Sequence, residues 1–99
     1  MKRKIKIKVR TGYAIFSPMF FQGNMPACYD ETDYPVVFPT EHEAQREIAD
    51  TQLTRIQEFL DGERDFDDAI STDEFVLPVD VWHDGSISVE SGRRFGKID

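Results

Sequence analysis

The chain has 99 residues, 39% of them hydrophobic, with eight Phe, three Tyr and one Trp, and a formal net charge of −7. This is enough apolar material for one core and too little length for two, which excludes both a disordered chain and a multidomain one. The single cysteine, Cys28, excludes an intramolecular disulfide and fits a reducing cytoplasm.

Charge is unevenly spread. Residues 1–10 carry six Lys/Arg and no acid, whereas residues 41–74 carry twelve acids against Arg46, Arg55 and Arg64. Such a chain is repelled by nucleic acid and by anionic membranes, and attracted to basic proteins. No run approaches the roughly 18 apolar residues of a membrane span. The basic start at Met1–Lys4 is followed by alternation and no apolar stretch, so it does not read as a signal peptide.

In chain order, residues 2–10 alternate strictly. Lys2, Lys4, Lys6, Lys8 and Arg10 share one face of a strand, and Ile5, Ile7 and Val9 the other. The basic row is either a solvated face that discourages edge pairing or a phosphate-contacting stripe, and the acidic remainder of the chain favours the first. Thr11-Gly12 reads as a turn into a second strand, Tyr13–Phe16. Residues 17–34 contain the breakers Pro18, Gly23, Asn24 and Pro26, yet also Met19, Phe20, Phe21, Met25, Tyr29 and Tyr34. These large groups either pack into the core or form a contact surface, with Phe20 and Phe21 as its centre and Asp30, Glu31 and Asp33 as its rim. Val36–Phe38 reads as a short third strand.

The stretch from Thr40 to Gly62 predicts one long amphipathic helix. Thr40 and Glu43 have the spacing of a capping box, Glu41 and Glu43 suit the positive end of the dipole, and Gly62 stands where a left-handed residue ends the helix. Ile48, Ala49, Leu53, Ile56, Phe59 and Leu60 fall on one side and are expected to be buried. Glu43, Glu47, Asp50, Glu58 and Asp61 cluster within about 80° on the opposite side. Like-charge neighbours at this spacing cost a few tenths of a kcal/mol each. The face is either ordinary solvation or a surface kept for a partner. Glu63, Asp65, Asp67 and Asp68 continue it through a short helix or turn over residues 63–70, pinned by Phe66 and Ile70.

Phe75–Trp82 reads as a fourth strand, with Pro78 pointing to an edge or bulge. Asp84-Gly85 predicts a type I′ hairpin turn into residues 86–89, and the tail over 91–99 is expected to fray. The fold class is therefore α+β: one domain over residues 1–99, with an antiparallel sheet of four or five strands and the 41–61 helix packed across one face. The expected core is Ile5, Ile7, Val9, Ile15, Val37, Ile48, Leu53, Ile56, Leu60, Val79, Val81 and Ile87.

Catalytic and ligand motifs do not emerge. Acids at Asp61, Glu63, Asp65 and Asp67 mimic the start of a calcium loop. However, Phe66 and Thr72 stand where such a loop needs Gly and a bidentate Glu. His42 and His83 lack spaced metal-binding partners, no motif surrounds Cys28, and Gly12, Gly23 and Gly62 are isolated. The reading is a non-enzymatic protein with no cofactor and no metal.

An acidic rod can occupy the Lys/Arg groove with which a nucleic-acid binder meets its phosphates. Glu43, Glu47, Asp50, Glu58, Asp61, Glu63, Asp65, Asp67 and Asp68 are accordingly the leading contact residues, with Phe20 and Phe21 second. Phe38–Ala44, Phe66–Ile70 and Asp84–Ser86 resemble short proteins of bacteria and their mobile elements. The small, acidic, cysteine-poor α+β type is similar to phage anti-CRISPR proteins. That resemblance implies a basic nucleic-acid-binding complex such as a CRISPR effector as partner, in the cytoplasm of the bacterial host. Gly12–Pro18 followed by the Thr40 helix start is similar to HicB-type antitoxins, which bind a toxin, although the insert between Pro18 and Thr40 is long. A self-assembling structural phage protein, a homo-oligomer buried at Phe20 and Phe21, is a third alternative.

Overall fold

A computed structural model describes residues 7–96. Strands β1 (Lys8–Met19) and β2 (Gly23–Pro26) precede helices α1 (Glu41–Leu60) and α2 (Phe66–Ile70), which are followed by β3 (Phe75–Trp82), β4 (Ile87–Ser88) and β5 (Arg94–Phe95). The strands form an antiparallel sheet in the order β2-β1-β3-β4-β5. The α+β class and the long helix agree with the sequence reading.

β1 runs unbroken through the expected turn at Thr11-Gly12, where Thr11 and Gly12 pair with Asp80 and Val79. Gly12 is needed for a different reason: a Cβ there would collide with Val37 Cγ1 and lie 3.0 Å from the Phe38 carbonyl oxygen. The expected third strand shrinks to a single bridge, in which Tyr13 N–H donates to Phe38 O (2.9 Å) and Phe38 N–H to Tyr13 O (2.7 Å). Tyr13 therefore directs its backbone groups away from β3, and Pro78 opposite it needs no N–H toward β1. The other side of Pro78 is also open, because β4 reaches only Asp80 and Val81. The proline thus sits at a local edge of an inner strand and not at a bulge.

Alternation along β1 divides the buried residues. Ala14 and Phe16 face a core completed by Val79, Val81, Ile87 and Phe95, with Val37, Phe75 and Leu77 packed against it. Phe16 stacks with Phe75 and meets Phe95 edge to face at 5.5 Å. Ile15 points to the opposite face and is buried outside that cluster, as is Ala44 of α1, which lies against β1 and β3.

Several core assignments are corrected. Ile7 and Val9 are 56% exposed, at the end of β1 where the register with β3 slips between Lys8 and Arg10. Ile5 and the basic Lys2, Lys4 and Lys6 lie outside the described residues. On α1 only Ala44 is fully buried; Ile48 and Ile56 are half-buried, and Leu53 and Leu60 are 63% and 69% exposed. The apolar wheel covered two stripes. One turns toward the sheet and α2, and the other, Ala49, Leu53 and Leu60, faces out, with half-buried Ile56 at its margin. α2 is held by buried Ala69 and by the contact of half-exposed Phe66 with Phe59, whereas Ile70 is 52% exposed. Beyond the sheet, α1 and α2 form an arm, and the molecule extends 60 × 29 × 24 Å. Its radius of gyration of 16.0 Å exceeds the roughly 13 Å of a compact domain of this length.

The hairpin after β3 closes as a three-residue loop, with Trp82 N–H donating to Ser86 O and only Gly85 taking a positive φ, so it is not the two-residue I′ turn. Residues 91–96 do not fray: Arg94 and Phe95 pair with Ser88 and Ile87. Arg94 lies 4.8 Å over the Trp82 ring and 3.5 Å from Asp84, which also accepts from Ser86.

Candidate functional site: the acidic arm and the hairpin tip

The arm is built by local signals. Thr40 Oγ1 accepts from Glu43 N–H at 3.1 Å, so the hydroxyl caps α1 as its position implies. At the other end, Glu63 N–H donates to Glu58 O and Gly62 N–H to Phe59 O, the paired bonds of a Schellman motif, with Gly62 at φ +81°. The chain then reverses into α2. Gln52 Nε2 donates to Ala69 O, Arg55 reaches Ser71 O, and Phe59 meets Phe66 edge to face at 5.3 Å.

Within this frame Glu43, Glu47 and Asp50 are exposed along α1. Asp61 is the C-cap of α1 and accepts from Gln57 at 3.0 Å; Asp65 is the N-cap of α2, and Asp67 and Asp68 lie in its first turn. Glu58 and Asp68 are drawn together by Arg64, whose guanidinium stands 3.2 Å from Glu58 and 2.5 Å from Asp68. Hydrogen bonding to Asp68 raises the Arg64 pKa further, against some desolvation and with Glu58 adding to the rise. Two of the predicted carboxylates are therefore held in ion pairs within the fold. The remainder, Glu43, Glu47, Asp50, Asp61, Glu63, Asp65 and Asp67, form the exposed acidic surface. Arg64 was missed as its organiser, although its i,i+4 spacing to Asp68 was visible in the sequence.

Residues 17–34 resolve into a hairpin and an ordered loop. β1 continues past Phe16, where β3 begins, and pairs there with β2 alone, from Phe16↔Pro26 to Met19↔Gly23. At the tip, Phe20 and Phe21 are each 92% exposed, edge to face at 4.6 Å. Met25 packs against the core, and Asp30 Oδ1 gathers Thr32 N–H, Thr32 Oγ1 and Tyr34 N–H into an Asx-type turn. The segment thus packs Met25 against the core and leaves Phe20 and Phe21 exposed.

Cys28 is half-buried, and its thiol pKa is pushed up by burial, then by the carboxylates of Glu74 and Glu47. A raised pKa keeps the thiol neutral, so alkylation by iodoacetamide near pH 8 is expected to be slower than for an unfolded control. Changing Glu47 and Glu74 to Gln should speed it while leaving the circular dichroism spectrum intact. An unchanged rate would show that neither carboxylate bears on the sulfur. No group of three or more His, Cys, Asp or Glu among the described residues is arranged to hold a metal ion, and no helix among them is long and apolar enough to cross a membrane. Compared with family models, curated proteins and solved structures, the chain matches none.

Proposed function

We propose that the chain is a non-enzymatic inhibitor that binds a basic nucleic-acid-binding complex and occludes its nucleic-acid site, in the manner of phage anti-CRISPR proteins. One observation carries the reading: the twelve acids of residues 41–74 fall on or beside an arm that extends beyond the sheet. Its exposed carboxylates, Glu43, Glu47 and Asp50, then Asp61, Glu63, Asp65 and Asp67, follow one helix face and continue around its end. A rigid rod of carboxylates is what a Lys/Arg groove built for phosphates would accept. The host cytoplasm is the compartment where such a target operates, and Phe20 and Phe21 are the secondary contact.

The test is capture from bacterial lysate at low and moderate salt, with the wild type beside a variant carrying Glu43→Gln, Glu47→Gln, Asp50→Asn, Asp61→Asn and Glu63→Gln. Glu58 is left intact because removing it would take away one of the two carboxylates that hold Arg64. The expected result is a basic nucleic-acid-binding complex held at low salt, weakened as salt rises and lost in the variant. Recovery unaffected by the variant would move the contact to Phe20 and Phe21. Recovery of a single small toxin would favour the antitoxin reading, and recovery of no partner would sink the inhibitor reading.

A further inference from the structure

A cleft of about 300 Å³ opens between the loop that follows β2 and the chain around β5, lined by Met25, Tyr29, Asp33, Arg93, Phe95 and Gly96. Arg94 also borders it, but that guanidinium is committed to Asp84 and Ser86. Two opposite charges in the cleft have no such partner. The Arg93 guanidinium stands 5.0 Å over the Phe95 ring, donates to Gln22 O and lies 3.2 Å from Met25 Sδ. These neighbours fix it in place without bringing a negative charge, and most of its five N–H donors are left over. No carboxylate among the described residues comes within 4.0 Å of it, Asp33 included. Asp33 in turn is set by its backbone, at φ +68°, with its N–H donating to Asp30 O inside the turn that the Tyr29–Pro35 bridge closes. We propose that this cleft binds a small zwitterion with an apolar side chain, a free amino acid or a short peptide, its carboxylate on Arg93 and its ammonium on Asp33.

Charge selects the ligand class. A simple anion that reached Arg93 would meet the Asp33 carboxylate in the same cleft, and a simple cation on Asp33 would meet Arg93. Either would also strip water from the charge it leaves unpaired, which costs more than the pair it forms returns. A molecule carrying both charges satisfies both groups, and a guanidinium suits a carboxylate because its fork can donate two parallel bonds. Met25, Tyr29 and Phe95 supply an apolar wall for the side chain. The volume is at the small end of ligand clefts, which suits one or two residues and not a large cofactor. Both charges are carried on ordered backbone, so little freedom is lost on binding. The site uses none of the acidic arm, and its failure would leave the function proposed above untouched.

Titration of the ¹⁵N-labelled full chain, followed by amide chemical shifts, tests it. The probes are L-phenylalanine and a phenylalanyl dipeptide, with phenethylamine and 3-phenylpropionate as analogues that each lack one charge. For a ligand of this size the expected dissociation constant is on the order of 1 mM, with shifts at Tyr29, Asp33, Phe95 and Gly96. Each single-charge analogue should bind at least about tenfold more weakly. Asp33→Asn should lose binding to the same degree with the fold intact, because asparagine also tolerates the left-handed backbone. Arg93→Gln should do likewise, with its circular dichroism spectrum checked because Arg93 also holds Gln22 O. Tighter binding of the amino acid or of the dipeptide says which of the two the cleft serves. No localised shift with either zwitterion up to about 20 mM, an analogue that binds as well as L-phenylalanine, or Asp33→Asn binding unchanged would each overturn the proposal.

Discussion

Replacing Phe16 with Ala is expected to bring this domain close to unfolding at 37 °C, whereas replacing Leu60 with Ala leaves it almost unchanged. Phe16 is fully buried and contacts both Phe75 and Phe95, so its ring joins β1, the start of β3 and the last strand. Truncating such a residue costs about 3–5 kcal/mol, from lost burial and from the cavity left behind. Against a total stability of roughly 5–15 kcal/mol, and about 4–8 °C per kcal/mol for a domain of this size, the melting temperature should fall by roughly 15–30 °C. Leu60 is 69% exposed on the arm, and its truncation should cost no more than about 0.5 kcal/mol. Thermal melts at low micromolar concentration decide the point. If Leu60→Ala costs as much as Phe16→Ala, the arm does not stand off the sheet as described.

That contrast also shows where the sequence was legible. Features with purely local causes were read correctly: Thr40 as the cap, Gly62 as the stop, Phe75–Trp82 as a strand, and a short α2. The acidic face was legible too, since helical spacing alone places Glu43, Glu47 and Asp50 together. Burial was harder, because it depends on what arrives from elsewhere in the chain. A helical wheel cannot tell a stripe that meets the sheet from one that meets solvent, so Leu53 and Leu60 were assigned to the core with Ile48. Ala44 and Ala69 are buried because close approach demands small side chains, and a search for large apolar residues passes over them. Phe95 lay in a polar tail, and only its pairing with Ile87 marks it as core. At the site, the engagement of Glu58 and Asp68 by Arg64 depended on the turn after Gly62 folding back, which residue identities alone do not fix.

Gly12→Ala is expected to destabilise the fold, and the reason lies outside β1. In an extended strand an alanine would ordinarily stabilise by about 0.5–1 kcal/mol relative to glycine. Here the new Cβ meets the Val37 side chain and the Phe38 carbonyl, and overpacking of this kind costs about 1–3 kcal/mol. Val37 and Phe38 cannot withdraw freely, because Phe38 exchanges two backbone hydrogen bonds with Tyr13 and Thr40 caps α1 two residues later. The substitution therefore strains the seat from which the acidic arm springs. Making room should relieve it: with Val37→Ala also present, the loss should be smaller than the sum of the two single losses by about 1 kcal/mol. Gly62→Ala is the control, since its Cβ would meet nothing within 4 Å and only the positive φ is strained, a cost of about 1 kcal/mol that no substitution at Val37 should change. Denaturant melts of the four proteins in the Gly12/Val37 cycle give the coupling directly. A coupling near zero would mean that the approach of the 36–38 segment to β1 is not what requires glycine at position 12.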